Sequence, residues 1–388
     1  MRIAFFLENN KAGGMDTFLK NLIDYWPKRN DRLIVFSNSN HPGIKFLKAH
    51  FKNKKNVKLV SYKSDFIYHS NRKYNFFEKA YKYLKKINSY NKIINYISNL
   101  FIKYKIERLF VIQGSYPGGL YGLASIIAWS KISSIKPWFN FHNYAIKRRK
   151  IDLFGKYIDI SISKRIAGFI SVSKSCIRSI NKISNFKFLP KKYIYNGINV
   201  ERKILEKHNK KKKFKLLFLG VYEKRKGHKF LFDALNLLNK KKKNFECNVY
   251  GDGNKSEINS VRKIIPGEIK SKIKLNKHSV NIYKVISESD MILVTSQFEE
   301  SFGYSALEGM AFCKPIISTN CGGLPEVIKN NSTGFIVNKK NTKLFADKIL
   351  YLINNPKFRK TMGKKGQLRY LKKFNSKDMA FKYSKLIK

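Results

Sequence analysis

The stretch Gln297-Phe298-Glu299-Glu300-Ser301-Phe302-Gly303-Tyr304-Ser305-Ala306-Leu307-Glu308-Gly309-Met310 follows the apolar run Met291–Thr295 and leads into a helical pattern. It reads as a strand end, a loop and a helix N-terminus. In an open parallel sheet, ligands sit beyond the carboxyl ends of the strands. A helix N-terminus adds unpaired N–H groups and the positive end of the dipole, which suit a phosphate. Gly303 lets the backbone come close to a ligand. Glu300, before the helix, and Glu308, one turn inside it, can each accept hydrogen bonds from paired sugar hydroxyls. A plainer reading stands beside this one. Ser305-Ala306-Leu307-Glu308 has the S-x-x-E spacing of a capping box, and Glu300 can be an ordinary surface acid.

Working outward, the same strand-and-helix alternation fills the second half. Leu216–Leu219, Phe245–Tyr250, Ile273–Leu275, Pro315–Ser318 and Phe335–Val337 read as short strands, with helices over Phe230–Leu238 and Ala306–Phe312. From Thr342 to Lys388 the pattern is helical, broken near Pro356 and Asn375. The first half reads likewise. Ile3–Leu7, Leu33–Ser37, Val57–Val60, Leu109–Gln113, Trp138–His142, Phe169–Val172 and Tyr193–Tyr195 are short apolar runs between helical stretches. Near-continuous apolar strands separated by helices imply parallel sheets covered on both faces. The basic segment Glu201–Lys213 reads as a connection or a solvated helix.

A length of 388 residues fits two domains. The run Ile3–Leu7 is closed by Glu8, so the N-terminus reads as a buried strand rather than a signal peptide. No stretch approaches the ~20 apolar residues of a membrane span. Cys176, Cys247, Cys313 and Cys321 are widely spaced, which argues against disulfides or a zinc site and fits a reducing cytosol. Lys and Arg number 80 against 25 acids, a formal net charge of +55. Some of the lysine matches the drift of an AT-rich genome, but the shortage of acids does not. A field this positive attracts polyanions: an anionic membrane, a nucleic acid or a phosphorylated substrate. Asn71–Lys105 interleaves aromatics and lysines at helical spacing. It reads either as helices packed on the first sheet or as a basic aromatic surface at a lipid interface.

Glu300 to Ala311, E-S-F-G-Y-S-A-L-E-G-M-A, with Lys314-Pro315-Ile316-Ile317-Ser318 after it, resembles the retaining glycosyltransferases of family 4, of the bacterial envelope polysaccharide type. These carry two Glu separated by seven residues. The resemblance covers nearly the whole chain. It implies the α/β GT-B fold, two Rossmann-like doubly wound domains facing a central cleft. Residues 1–199 would form the acceptor-side domain and 200–370 the nucleotide-sugar domain. A helix over 371–388 would cross back to the first.

Other landmarks occur in the family's order. Gly13-Gly14 after the first strand can be an ordinary turn; the resemblance brings Gly14 toward the donor phosphates or the acceptor. His142 closes a strand and would lie near the donor sugar. Asn196-Gly197-Ile198-Asn199 matches the N-G-I-D turn, with Asn for Asp, and would end the first domain. Gly220-Val221-Tyr222-Glu223-Lys224-Arg225-Lys226-Gly227 is similar to the family's G-R-L-x-x-x-K-G, but Val221 stands where the family has Arg. Lys226 carries over to the diphosphate, with Arg225 a substitute for the missing Arg. Cations at a sheet mouth suit a diphosphate; they also fit a lysine-rich surface. Gly251-Asp252-Gly253 resembles the turn near the nucleotide base. The Cys321–Glu326 turn and the Asn331–Val337 strand entry are structural matches.

The implied catalytic residues are therefore Glu300, His142 and Lys226. The implied donor-binding residues are Gly14, Arg225, Lys226, Gly251, Gly303, Tyr304 and Glu308, with Glu300 toward the sugar and Glu308 toward the ribose. No Asp-x-Asp motif stands at a strand end, and enzymes of this fold usually need no metal. No cofactor is expected beyond the co-substrate, a UDP- or GDP-type sugar. The expected acceptor is a lipid-linked glycan met at an anionic membrane, at the inner face of the cytoplasmic membrane, in lipopolysaccharide, O-antigen or capsule synthesis. A soluble acceptor is the alternative within the family. The rival from another class is a basic nucleic-acid-binding protein, yet no zinc-finger spacing, RNP motif or basic zipper is present, so no specific nucleic acid is expected.

Overall fold

The computed structural model describes residues 1–64, 76–200, 213–277 and 281–387. The chain forms two compact units, Met1–Ile194 with Met379–Lys388, and Tyr195–Asp378.

The first unit is built on seven strands: β1 (Arg2–Glu8), β2 (Arg32–Asn38), β3 (Val57–Tyr62), β4 (Arg108–Gln113), β5 (Trp138–Phe141), β6 (Gly168–Ser171) and β7 (Lys191–Tyr193). They are all parallel, in the order β3-β2-β1-β4-β5-β6-β7. The apolar continuity of Ile3–Leu7 is explained by burial on both faces, with no side chain from Ile3 to Leu7 exposed. Phe5 and Phe110 stack across β1 and β4 at 5.9 Å. Each such buried ring contributes about 1.5–3 kcal/mol before the entropy of ordering is set against it. The helix Gly14–Asp24 packs Phe18, Leu19 and Leu22 onto this sheet.

The helix Ser376–Ser384 begins in the second unit, and its Met379, Ala380 and Tyr383 join the first unit's core. Tyr383 is fixed there by Phe18, at 5.3 Å, and by the Asn140 Nδ2 donor, at 2.7 Å.

The second unit holds β8 (Phe214–Leu219), β9 (Phe245–Tyr250), β10 (Ile273–Asn276), β11 (Met291–Val294), β12 (Ile316–Thr319) and β13 (Gly334–Val337). This sheet too is all parallel, in the order β10-β9-β8-β11-β12-β13. The helices His228–Lys241 and Thr342–Asn354 bury Leu231, Leu235, Phe345 and Ile349 against one face. The tail breaks where expected. Pro356 starts the helix Pro356–Lys373, a position where its missing N–H has no partner to lose, and Phe374-Asn375 separates that helix from the next.

All thirteen strands read from the sequence are present, with ends within about two residues. The Asn196–Asn199 turn, expected to close the first domain, packs with the second unit. The Ile198 N–H donates to the Phe374 carbonyl and its own carbonyl accepts from Tyr370 Oη, so the turn is stitched to the tail. Of the basic connection, residues 201–212 lie outside the described residues.

Asn71–Lys105 divides similarly. Residues 71–75 lie outside the described residues, and Phe76–Lys103 is a single helix. From Ile87 onward its apolar face is buried: Tyr90, Ile93, Ile94, Ile97 and Phe101 turn inward. Phe101 meets Trp129 of the helix Leu120–Ser130 at 5.8 Å. In this part of the helix the packed reading holds for Tyr90 and Phe101, which are core, while Tyr96 stays exposed.

Candidate functional site

In the second sheet the chain runs outward from β8 through β9 to β10, then returns to β11 on the other side of β8. The reversal between β8 and β11 opens a crevice at their carboxyl ends. Two loops border it, Gly220–Gly227 and Thr295–Gly303.

The loops are bonded to each other. Thr295 Oγ1 donates to the Lys226 and Gly227 carbonyls at 3.0 and 3.1 Å. The Gln297 N–H donates to the Arg225 carbonyl at 2.8 Å. Gly227 takes φ +74°, and a Cβ there would collide with the Thr295 carbonyl oxygen, so only glycine permits this approach. The result brings Lys226 to Glu300: Nζ donates to Oε2 at 2.6 Å. Ser296 Oγ donates to the same oxygen at 2.7 Å. Among the described residues nothing hydrogen-bonds Oε1. Glu300 is buried, and burial alone would raise its pKa. The charge and hydrogen bond of Lys226, the Ser296 bond and the Arg225 charge outweigh this and hold the pKa below the usual carboxylate value. Glu300 is therefore ionised at neutral pH. The backbone around it is tightly turned: Glu299 has φ +47°, and the Glu300 carbonyl accepts from the Gly323 N–H at 2.7 Å.

The helix Tyr304–Ala311 starts four residues after Glu300, capped by Gly303 at φ +105° with no side-chain cap. The S-x-x-E capping box is thus not formed, because Ser305 and Glu308 both lie inside the helix. Glu308 sits one turn in and is partly buried. It has no hydrogen bond or ion pair among the described residues, and burial lifts its pKa to about 7. An acid in this condition lacks the donors a hydroxylated ligand would supply. Tyr304 occupies the first helical position, its ring edge-on to Phe302 at 5.8 Å.

Arg225 is turned aside from Glu300, its Nε bonded to Glu223 Oε2 at 2.6 Å, and it is partly exposed. Gly251 ends β9, and a Cβ there would strike the Gly220 carbonyl. Its role is the close approach of the β8 and β9 turns. The Lys226–Glu300 pair and, four residues on, the Gly303-capped helix that carries Tyr304 and Glu308 thus follow the carboxyl ends of β8 and β11, with Gly251 at the neighbouring strand end.

Gly14 and His142 belong to the first unit. Gly14 is the first residue of the helix Gly14–Asp24, so its N–H is one of that helix's unpaired donors. Gly13 before it takes φ +151°, and its N–H donates to Asp16 Oδ2 at 2.9 Å. The Gly pair is a helix N-terminus rather than a simple turn. His142 follows β5, with its ring against Phe18 at 4.4 Å. Its Nε2 is buried with no partner among the described residues, and burial pushes its pKa down to about 3. The imidazole is neutral at working pH.

Two polar groups were not singled out from the sequence. Ser296 holds Glu300; its signal was its place one residue past a strand end. Glu8, at the carboxyl end of β1, accepts from the Tyr121 and Gly122 N–H groups at 2.7 and 3.1 Å. Burial raises its pKa to about 7 even though those bonds lower it. A carboxylate of the chain itself thus fills the N-terminus of the helix Leu120–Ser130.

Residues 200–369 match the family model of glycosyl transferases, group 1. That half of the chain is similar to this superfamily. A glycosyltransferase of Methanocaldococcus jannaschii is 33% identical over 186 residues, 47% of this chain and 49% of that protein. The capsular polysaccharide biosynthesis glycosyltransferase CapM of Staphylococcus aureus is 39% identical over 85 residues, 22% of each chain. The chain therefore spans about half, or less, of the length of these curated relatives. Among solved structures, Anabaena HepE in complex with UDP has a TM-score of 0.75 at 16% identity, covering 100% of this chain and 99% of that one. This likeness shows the GT-B fold, two Rossmann-like parallel-sheet domains.

Proposed function

We propose that the protein is a retaining glycosyltransferase of family 4. It moves a hexose-type sugar from a UDP- or GDP-sugar to a lipid-linked glycan, without a metal, in the synthesis of an envelope polysaccharide such as lipopolysaccharide, O-antigen or capsule. The observation that carries this reading is the buried Lys226–Glu300 pair at the carboxyl ends of β8 and β11, with the unbonded Glu308 on the helix that follows. Transfer breaks the bond from the anomeric carbon to the diphosphate, and the electron pair leaves on the phosphate oxygen. Lys226 Nζ spends one of its three N–H donors on Glu300 and keeps others for that charge. The N–H groups behind Gly303 and Tyr304 add to it, and Arg225 contributes from nearby. Glu300 Oε1 accepts from the donor sugar. Glu308 accepts from the ribose hydroxyls, which supply the hydrogen bonds its carboxyl lacks. Gly251, which lets the β8 and β9 turns close on each other, lies at the strand end assigned to the base. Gly14 and His142, on the first unit, keep the roles that the resemblance implies, the neutral imidazole as a hydrogen-bonding group.

The capsular relative and the UDP complex of the structural neighbour support the substrate classes. Among the described residues no helix is long and apolar enough to cross a membrane, and the +55 charge suits attraction to an anionic inner leaflet. The test is a panel of sugar nucleotides incubated with wild type and with Glu300→Ala, read by mass spectrometry for donor turnover. Turnover of one donor class by wild type, lost in the variant at unchanged UDP or GDP binding, supports the assignment. Equal turnover by both proteins sinks it.

A further inference from the structure

The helix Leu153–Ser163 is apolar on both sides. Phe154, Ile158 and Ile162 face the core of the first unit. Leu153, Tyr157 and Ile160 recur at helical spacing on the opposite side and are exposed, Leu153 and Tyr157 at 65% each. The turn before the helix adds Ile146 and Ile151, the latter 83% exposed. Five large apolar side chains within fifteen residues form a concentration unlike the scattered exposed apolar residues of an ordinary surface.

The charges around them have one sign. Lys147, Arg149, Lys150, Lys156 and Lys164 are exposed along the same segment. Its two acids are both engaged within the unit. Asp159 is buried, bonded to Tyr116 Oη at 2.5 Å and Arg148 Nε at 2.8 Å. Asp152 caps the helix through the Gly155 N–H at 2.8 Å and pairs with Arg148 at 3.2 Å. The segment thus offers large apolar side chains among exposed cations that form no ion pair with the described residues.

We infer that residues 146–164 form the surface by which the first unit docks on an anionic lipid bilayer, with Ile151, Leu153 and Tyr157 inserted at the headgroup boundary and the lysines on lipid phosphates. A helix with exposed aliphatics among Lys and Arg lies in the membrane interface in this way. Nucleic acid fits less well: its phosphates would meet the cations, but the aliphatic Ile146, Ile151, Leu153 and Ile160 have no bases to stack on. The inference rests on the membrane part of the proposed function and moves it away from the aromatic helix Phe76–Lys103. It does not depend on the donor site.

The test uses the full chain and phosphatidylcholine vesicles, plain or with about a third phosphatidylglycerol, read by co-sedimentation. The variant Ile151→Ser/Leu153→Ser/Tyr157→Ser alters only exposed side chains, and a UDP or GDP thermal shift on it reports that the second unit is intact. Lys364→Glu/Lys365→Glu, on the helix Pro356–Lys373, changes the global charge elsewhere. The expected result is wild-type binding to the anionic vesicles, a drop of about tenfold or more for the triple variant, and little change for the lysine pair. Equal binding by the triple variant and wild type overturns the surface while leaving the membrane reading standing. No binding by wild type overturns both. A triple variant that keeps its vesicles but loses a short DNA duplex shows a nucleic-acid surface and also overturns the inference.

Discussion

Lys226 Nζ and Glu300 Oε2 lie 2.6 Å apart although 74 residues separate them in the chain. The contact spans the strand-order reversal between β8 and β11, and both side chains are mostly buried. Removing one partner of such a pair leaves an uncompensated charge. Lys226→Ala is expected to destabilise the protein by about 3 kcal/mol, with Lys226→Ala/Glu300→Gln recovering part of the loss. Urea denaturation of both proteins checks this; equal stability of the two would show that the pair is not coupled.

The same pair sets an acid dependence. Glu300 has a lowered pKa in the folded state, so its contribution is present above the ordinary carboxylate value and is lost as pH falls through the lowered one. Melting of wild type and Glu300→Gln should therefore converge on acidification below about pH 4.5. Curves that stay parallel would contradict the assigned shift.

Glu308 runs the other way. Its folded pKa of about 7 lies above the unfolded value, so the folded state binds more protons between those limits and stability falls as pH rises through them. Glu308→Gln should match wild type near pH 4.5 and exceed it above pH 7 by on the order of 1–3 kcal/mol. Thermal melts at pH 5, 6, 7 and 8 (spanning roughly the range between the two pKa values) read this directly. Glu8 titrates in both proteins and cancels.

His142 is held neutral to about pH 3 by burial. Its unfolded form binds a proton first, so wild type loses stability as pH falls below the ordinary imidazole value, and His142→Gln should lose less over the same span. In turnover, His142→Gln is expected to lower kcat with nucleotide affinity kept. An equal loss of nucleotide affinity would make His142 a structural residue.

Gly227→Ala tests the scaffold. With φ +74° and the Thr295 carbonyl where the Cβ would go, the substitution should cost about 2 kcal/mol or more and reduce nucleotide binding through displacement of Lys226. Wild-type stability in this variant would mean that the two loops move apart freely.

The strands were legible because they are buried on both faces, which forces runs such as Ile3–Leu7 and Met291–Val294 to be continuously apolar. The helix start at Tyr304 was legible from Gly303. The site residues were legible mainly through motif resemblance, since spacing alone could not separate Glu308 from a capping box; that needed the backbone of Gly303 in the cap position. Glu8 was hidden because its partners are the backbone N–H groups of Tyr121 and Gly122, far off in the chain, and Ser296 because its bond to Glu300 depends on how the loop between them turns. Arg225 was adjacent to Lys226 in sequence, but its bond to Glu223 turns it aside.

The most direct measurement is a calorimetric titration of UDP and of GDP into wild type and Glu308→Ala. The account predicts saturable binding of one of the two nucleotides at a single site, weakened about tenfold to a hundredfold in Glu308→Ala by the loss of hydrogen bonds to a charged acceptor. Absence of binding by either nucleotide, or binding by Glu308→Ala as tight as by wild type, would contradict it.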